Sequence, residues 1–246
     1  MTDWDRLRQR VLTSQEVRLV DRIAIEFYHM HSLVLMENAA SGCAAWLRDE
    51  FVDPQRAVVL CGRGNNGGDG LVIARHLRVA GWECDAIVHG NLDGLRPDAQ
   101  ANARIFMVDA PDRVHFVEQP DEGTRQLLER ADVIIDAMLG TGATGNPKPP
   151  LDTWIDWANR SRGRRIAIDI PTGIDADSGQ RYAPAFQAEK TLTFVAQKPA
   201  MVAPGAESLF GAIAVMPIGL PQRLIAELVV QSPEELITAY RSKNSS

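Results

Sequence analysis

Residues 58–77 read VVLCGRGNNGGDGLVIARHL, an apolar run that passes through a glycine-rich turn into a helical pattern. Within the turn, Gly62, Gly64 and Gly67 have the G-x-G-x-x-G spacing of a strand that turns sharply into a helix beside a dinucleotide. Glycine permits left-handed backbone conformations and the close approach of a ligand. A plain strand-to-helix turn needs fewer glycines, so this stretch predicts an α/β fold with a ligand site at the turn.

Further along the chain, short apolar runs alternate with helical segments. The runs are RAVVLCG, DAIVHG, RVHFVE, ADVIIDAML, RRIAIDI, KTLTFVA and GAIAVMPIG. Continuous apolar runs rich in β-branched residues are typical of strands that are buried on both faces. Their alternation with helices predicts a mostly parallel sheet covered on both sides. No linker or repeat divides the chain, so we expect a single domain over residues 1–246.

Helices are predicted before the sheet and directly after the glycine-rich turn. A second helix is expected over residues 33–48, and Ser14 precedes the first helix without a full capping box. After the turn, Asp69 is the predicted N-cap of a helix that ends at Gly81. The apolar positions of the first helix recur at helical spacing, namely Val17, Val20, Ile23, Ala24 and Phe27.

Composition and charge exclude several classes of protein. The net charge is −6 and the pI is near 5.4, which argues against a nucleic-acid partner. No apolar run reaches the roughly 18–20 residues that span a membrane, and the charged N-terminus lacks the apolar core of a signal peptide. Cys43, Cys61 and Cys84 form no metal-binding or disulfide pattern. We therefore expect buried, reduced thiols and a cytoplasmic location.

An NAD-dependent dehydrogenase is one interpretation of the glycine spacing. Such enzymes place an acidic residue at the end of the second strand, where it binds the ribose hydroxyls. Asp85 lies at about the right distance along the chain, but it opens the run DAIVHG instead of closing it. The second half of the dinucleotide fingerprint is therefore missing, which weakens this interpretation.

Two aspartates close other predicted strands. Asp136 ends DVIID and is followed by a glycine-rich loop, while Asp169 ends IAID and is followed by PTG. Taken alone, each aspartate could simply accept hydrogen bonds from loop amides. The carboxyl ends of parallel strands lie at the same edge of a sheet. The two aspartates, together with Asn66 and Thr172, therefore predict a binding site at that edge. Amide, carboxylate and hydroxyl oxygens suit a hard cation, and mostly neutral donors favour a monovalent ion over magnesium.

Five segments of the chain resemble one known family. LMENAA (residues 35–40), CGRGNNGGDGLVIARHL, DAMLGTGATG, DIPTGIDADSG and TLTFVAQKP have the order and spacing of the NAD(P)H-hydrate epimerases, the YjeF N-terminal domain family. The resemblance extends from about residue 12 to residue 221. It implies a Rossmann-like three-layer α/β/α sandwich with N-terminal helices, usually as a homodimer. It also implies interconversion of the R and S forms of hydrated NADH and NADPH, which a separate dehydratase then repairs.

The resemblance also implies a set of site residues. Potassium would bind to Asn66, Asp136 and Thr172, the last in place of the serine that is commoner in the family. The chain ends soon after the matching region, so we do not expect a fused dehydratase activity. The implied contacts with the hydrated nucleotide are Asn65, Asn66, Gly67, Gly68, Asp69, Gly140, Thr141, Gly142, Ala143, Thr144, Gly145, Asn146 and Asp169.

Epimerisation needs an acid for the leaving hydroxyl and a base for the returning water. Asp136 and Asp169 are the candidates, and a carboxylate that binds a cation is the poorer acid. We therefore expect Asp169 to transfer the proton and Asp136 to hold the ion. Lys198 could balance the charge of the substrate, but the sequence favours a solvated lysine.

A second hypothesis is a non-catalytic module of the same fold that binds a nucleotide or a protein. Such a module would be expected to lose the polar residues of the site. This chain retains Asn66, Asp136 and Asp169, which favours the enzyme.

Overall fold

A seven-stranded parallel sheet forms the centre of the protein. The structure is a computed structural model, and it describes residues 1–244. Every pair of neighbouring strands is parallel, in the order β3-β2-β1-β4-β5-β6-β7. All seven strands predicted from the apolar runs are confirmed. They are β1 (Arg56–Cys61), β2 (Glu83–His89), β3 (Val114–Val117), β4 (Val133–Ala137), β5 (Arg164–Ile168), β6 (Lys190–Phe194) and β7 (Ala212–Met216).

Helices cover both faces of the sheet and one end of it. The helices are α1 (Asp3–Leu7), α2 (Ser14–Tyr28), α3 (Ser32–Glu50), α4 (Asn65–Val79), α5 (Pro97–Asp109), α6 (Glu122–Arg130), α7 (Leu151–Arg160), α8 (Glu207–Phe210), α9 (Gln222–Val230) and α10 (Pro233–Asn244). In the core, α3, α4 and α5 pack on one face of the sheet and α6 and α7 on the other. The first two helices pack with α9 and α10 in a separate apolar cluster.

The side chains of β1 show why a continuous apolar run correctly predicted a strand of this sheet. Val59 and Cys61 point into the core formed with α3–α5, whereas Val58 and Leu60 point into the core formed with α6 and α7. Because side chains alternate between the two faces, a strand covered on both sides needs apolar residues at every position. The expected three-layer α/β/α sandwich is therefore confirmed.

Two predictions of helix starts were wrong. Helix α2 begins at Ser14, but its N-cap is Thr13 and not Ser14. The side chains of Thr13 and Glu16 form a complete capping box, which was not expected from the sequence. Helix α4 starts at Asn65 with Gly64 as its N-cap, and Asp69 lies inside the helix. The glycines of the turn are part of the helix because close packing requires them there, although their helix propensity is low.

Asp85 lies near the start of β2, away from the edge at which the glycine-rich turn follows β1. Its carboxylate contacts the side chains of Arg113 and His115 at 3.0 and 2.8 Å, so its role is structural. Cys43, Cys61 and Cys84 are buried free thiols, as expected. Within residues 1–244, none of the helices is both long and apolar enough to cross a membrane.

Candidate functional site

A cavity of about 640 Å³ opens at the carboxyl edge of the sheet. It lies where β1 and β4 are neighbours although two other strands separate them in the chain, which is the position where open α/β sheets bind ligands. Its walls come from α2, α3, the start of α4, the start of α5 and the loop after β4. Its polar lining residues are Arg18, Asp21, Ser32, Asn65, Asn66, Asp69, Arg96, Asp98, Thr141 and Asp169.

The glycine-rich turn is held by contacts between backbones. A Cβ atom on Gly67 would lie 1.9 Å from the carbonyl oxygen of Gly62, and one on Gly62 would lie 1.8 Å from that of Met138. The turn therefore packs directly on the loop after β4, with no space for side chains at these two positions. As a result, Asn65 and Asn66 at the start of α4 reach the cavity wall.

Asp169 follows β5 and carries a strained backbone. Its φ angle is +64°, in the left-handed region, which aspartate tolerates better than most residues. Its carboxylate accepts a hydrogen bond of 3.0 Å from the backbone N–H of Thr141, and the other oxygen lies 3.3 Å from Nζ of Lys198. The side chain is 12% exposed and lines the cavity. This combination of strain, burial and fixed contacts is typical of a functional residue.

Lys198 is completely buried, so the expectation of a solvated lysine was wrong. Its ammonium group donates to the hydroxyl of Thr193 at 2.6 Å and to the carbonyl of Phe194 at 2.9 Å, in addition to facing Asp169. Burial lowers the pKa of Lys198, while the charge of Asp169 acts in the opposite direction. The buried lysine is the counter-charge of Asp169 and fixes the position of its carboxylate.

Asp136 and Thr172 lie below the cavity. The carboxylate of Asp136 is completely buried and accepts hydrogen bonds from the backbone N–H and the hydroxyl of Thr172, both at 2.7 Å, and from the N–H of Met138 at 3.0 Å. Burial raises its pKa to about 6, although these three donors act to lower it. Asp136 does not line the cavity. Its carboxylate lies beneath the cavity wall and stabilises the loop after β4 through the hydrogen bond from Met138.

Asn66 joins the cavity to this buried pair. Its amide nitrogen donates to the carbonyls of Leu139 and Ile168 at 3.0 and 3.1 Å. The backbone N–H of Leu139 in turn donates to the hydroxyl of Thr172 at 3.1 Å. The amide oxygen of Asn66 is buried and has no hydrogen-bond partner within residues 1–244. The structure thus brings Asn66, Asp136 and Thr172 into one network.

The other predicted contact residues divide into two groups. Gly67 and Gly68 do not line the cavity, because they pack against neighbouring backbone and against Met36. Thr144, Gly145 and Asn146 also lie outside it, and the side chain of Asn146 instead accepts a hydrogen bond from the backbone of Ala183. Those that do line the cavity are Asn65, Asn66, Asp69, Gly140, Thr141, Gly142, Ala143 and Asp169.

Four charged residues of the cavity wall were missed from the sequence. They are Asp21 on α2, Asp98 on α5, Arg18 and Arg96. Neither arginine has an ion pair in the described part of the chain. Burial and the neighbouring Asp169 raise the pKa of Asp21 to about 7. One signal was available: Asp21 stands four residues after Val17 and three before Ala24, so it interrupts the apolar stripe of α2.

Comparisons with known proteins agree with this architecture. The family described as YjeF-related protein N-terminus matches residues 32–200. An NAD(P)H-hydrate epimerase of Rhodopirellula baltica is 39% identical over 89% of this chain and 88% of its own. An NAD(P)H-hydrate epimerase of Pirellula staleyi is 39% identical over 89% of this chain and 97% of its own.

Longer relatives and a solved structure match as well. A bifunctional NAD(P)H-hydrate repair enzyme of Salinibacter ruber is 34% identical over 89% of this chain and 42% of its own length. The crystal structure of the yeast protein YNL200c superimposes with a TM-score of 0.75 at 20% identity, covering 91% of this chain and 95% of that one. At this identity the structural match supports the fold alone.

Proposed function

The chain belongs to the YjeF-related N-terminal family and is an epimerase of NAD(P)H hydrates, and we propose that it interconverts the R and S forms of hydrated NADH and NADPH in the cavity lined by Asp169. The observation that carries this placement is the Asp169 carboxylate, which reaches the cavity while Lys198 and the N–H of Thr141 fix it. A fixed carboxylate at a ligand-sized cavity is suited to proton transfer.

The chemistry of the substrate defines what the site must do. The carbon that changes configuration carries a hydroxyl group and is bonded to the ring nitrogen. When an acid protonates the hydroxyl, the nitrogen lone pair expels it as water and leaves a planar cation. A water molecule then adds to the opposite face and loses its proton to a base. We assign the proton transfer with this water to Asp169.

We place the phosphate groups of the nucleotide at the start of α4. The N-terminus of a helix favours anions, and Gly64, Asn65 and Asn66 line the cavity there. Arg96 stands on the same cavity wall without an ion pair in the described chain, so its charge is available for a phosphate.

Arg96→Gln is expected to raise KM about tenfold and to leave kcat nearly unchanged, because a phosphate contact far from the reacting carbon binds substrate and transition state equally. Steady-state kinetics of epimerisation measures both constants. Arg104→Gln, an exposed arginine of α5 that does not line the cavity, is the matched control and should keep the KM of the unmodified protein. An unchanged KM in Arg96→Gln would move the phosphate site elsewhere.

We also propose that Asn66, Asp136 and Thr172 hold a potassium ion. The unpartnered amide oxygen of Asn66 supports this, as does the buried Asp136 carboxylate, which contacts no cationic side chain among residues 1–244. A small space of about 10 Å³ borders Thr172, though not Asn66 or Asp136, and shares Leu139, Gly140 and Ala143 with the main cavity. Oxygen donors of this kind suit a hard cation, which would balance the charge of Asp136 and stabilise the loop after β4.

Potassium chloride is expected to raise Tm by about 2–4 °C above that in tetramethylammonium chloride of equal ionic strength, because an ion bound to the native state stabilises it. Differential scanning calorimetry measures the shift. Thr172→Val should lose it, whereas Thr124→Val, at a buried threonine of α6, should keep it. Equal Tm values for the unmodified protein in both salts would contradict the proposed ion site.

The function itself is tested with one purified epimer of hydrated NADPH. The protein should bring the isomer ratio to equilibrium far faster than the spontaneous reaction, and starting from the other epimer should give the same final ratio. Chromatographic separation of the epimers follows the reaction. An unchanged ratio together with tight binding of the hydrate would favour the non-catalytic binding module.

We propose that the protein is a homodimer, which the family resemblance supports, and that it is cytoplasmic. The free, buried thiols of Cys43, Cys61 and Cys84 are compatible with a reducing compartment. Light scattering coupled to size-exclusion chromatography would measure the mass in solution, and a mass near 27.0 kDa would exclude the dimer.

A further inference from the structure

The proposed reaction needs two proton-transfer groups, and Asp169 is only one of them. Asp136, the other carboxylate at a neighbouring strand end, is completely buried and does not reach the cavity. Its oxygens accept three hydrogen bonds from Thr172 and Met138. The second group must therefore come from another wall of the cavity.

We propose that Asp21 on α2 is the second catalytic acid–base residue, acting together with Asp169 in the same cavity. This inference rests on the proposed epimerase function. Asp21 lines the same cavity as Asp169 but comes from a different element, the helix that closes the cavity over the sheet edge. Groups on different walls can serve opposite faces of a planar intermediate, which is what inversion at one carbon requires.

The surroundings of Asp21 leave its carboxyl available for the substrate. Its side chain makes no hydrogen bond or ion pair with any residue from 1 to 244. The charged groups that face it are Asp169 at the end of β5, Lys198 and Asp69. Burial and Asp169 raise its pKa to about 7, and Lys198 acts in the opposite direction. A carboxyl with such a pKa changes its protonation near neutral pH and can work in both directions.

Asp69 is the alternative, since it also lines the cavity. It is more deeply buried than Asp21, lies inside α4, and has its pKa raised well above the usual value by burial. Burial at that depth disfavours the charged form of the Asp69 carboxyl. The positive charge of Lys198 interacts with the carboxyl groups of both Asp21 and Asp169. Asp69 has no such interaction with Lys198, so Asp21 is the carboxyl that is paired with Asp169 around the lysine.

Protonated Asp21 gives its proton to the leaving hydroxyl, the carbon–oxygen bond breaks with both electrons on oxygen, and water departs. A second water forms the new carbon–oxygen bond, and the Asp169 carboxylate takes its proton. The pair holds one proton before and after the step, with the proton moved from Asp21 to Asp169. The same pair in this second state catalyses the reverse reaction, and exchange with solvent resets it.

Asp21→Asn is expected to lower kcat by about 100-fold or more with little change in KM. In the unmodified protein, kcat/KM should fall above about pH 7 in both directions, because Asp21 then loses the proton that the pair needs. That alkaline decrease should be absent from the residual activity of Asp21→Asn. Asp21→Glu should keep the decrease and part of the activity. Glu26→Gln, a carboxyl-to-amide change on the exposed side of α2, should behave like the unmodified protein.

The outcomes separate the two proposals. If the unmodified protein does not epimerise the hydrate, the proposed function fails. If it does, and Asp21→Asn retains kcat and the alkaline decrease, the role of Asp21 is wrong while the function stands. If circular dichroism shows that Asp21→Asn does not fold, the role of Asp21 is tested instead by kcat and the alkaline decrease of Asp21→Glu. If Asp21→Glu keeps the full kcat and the alkaline decrease disappears in Asp69→Asn, the proton belongs to Asp69 and the proposal is overturned.

Discussion

Asp169→Asn is expected to lower kcat for epimerisation by about 10²–10⁴-fold, the range that removal of a general acid or base produces. The amide has nearly the same shape and can still accept the hydrogen bond from the N–H of Thr141, but it cannot take a proton from water. The KM should change little, because the phosphates and the glycine-rich turn are unaffected. Single-epimer kinetics measures both constants.

A structural explanation of that loss must be excluded, because the variant leaves Lys198 buried without its counter-charge. Breaking one partner of a buried pair costs about 3–5 kcal/mol. The double variant Asp169→Asn with Lys198→Met removes both charges and should recover much of the free energy of unfolding, as chemical denaturation would show. It should remain inactive. Recovery of activity in the double variant would show that Asp169 acts only through stability.

Gly67→Ala is expected to destabilise the fold severely, by about 3 kcal/mol or more. The new Cβ would lie 1.9 Å from the carbonyl oxygen of Gly62. Neither atom can rotate away, because the Cβ position is fixed by the helix backbone and the oxygen is a backbone atom. Relief requires the turn to move off the loop after β4, which would also displace Asn66. Urea denaturation monitored by circular dichroism measures the loss.

Gly64→Ala is the matched control for this prediction. It lies in the same turn, but nothing stands within 4 Å of a Cβ built on it. The substitution should cost less than about 1 kcal/mol, mainly because alanine is a poorer N-cap than glycine. Similar stability of the two variants would mean that the turn tolerates side chains and that the close backbone packing is not essential.

The sheet and part of the site followed from the sequence because both depend on local patterns. Continuous apolar runs identified every strand, since each strand is covered on both faces. The parallel topology then implied that Asn66, Asp136 and Asp169 would lie at one edge, and Asn66 and Asp169 indeed line one cavity with Asp136 below them. A shared strand end is a reliable guide to proximity.

The remaining site residues depend on tertiary contacts that no local pattern shows. Lys198 is buried because Thr193 and the carbonyl of Phe194 accept its hydrogen bonds, and this arrangement arises only after β6 ends and the chain turns back. Asp21 becomes a cavity residue only when α2 packs over the sheet edge. The start of α4 was misplaced because glycines normally oppose helix formation.

The most direct test of this account follows one epimer of hydrated NADPH in water enriched in oxygen-18. We expect the isomer ratio to relax quickly and the label to enter the hydroxyl group of the product as it forms, because the carbon–oxygen bond breaks and forms again. Chromatography with mass detection reads both quantities in one run. A ratio that does not change, or one that relaxes without uptake of label, would contradict the account.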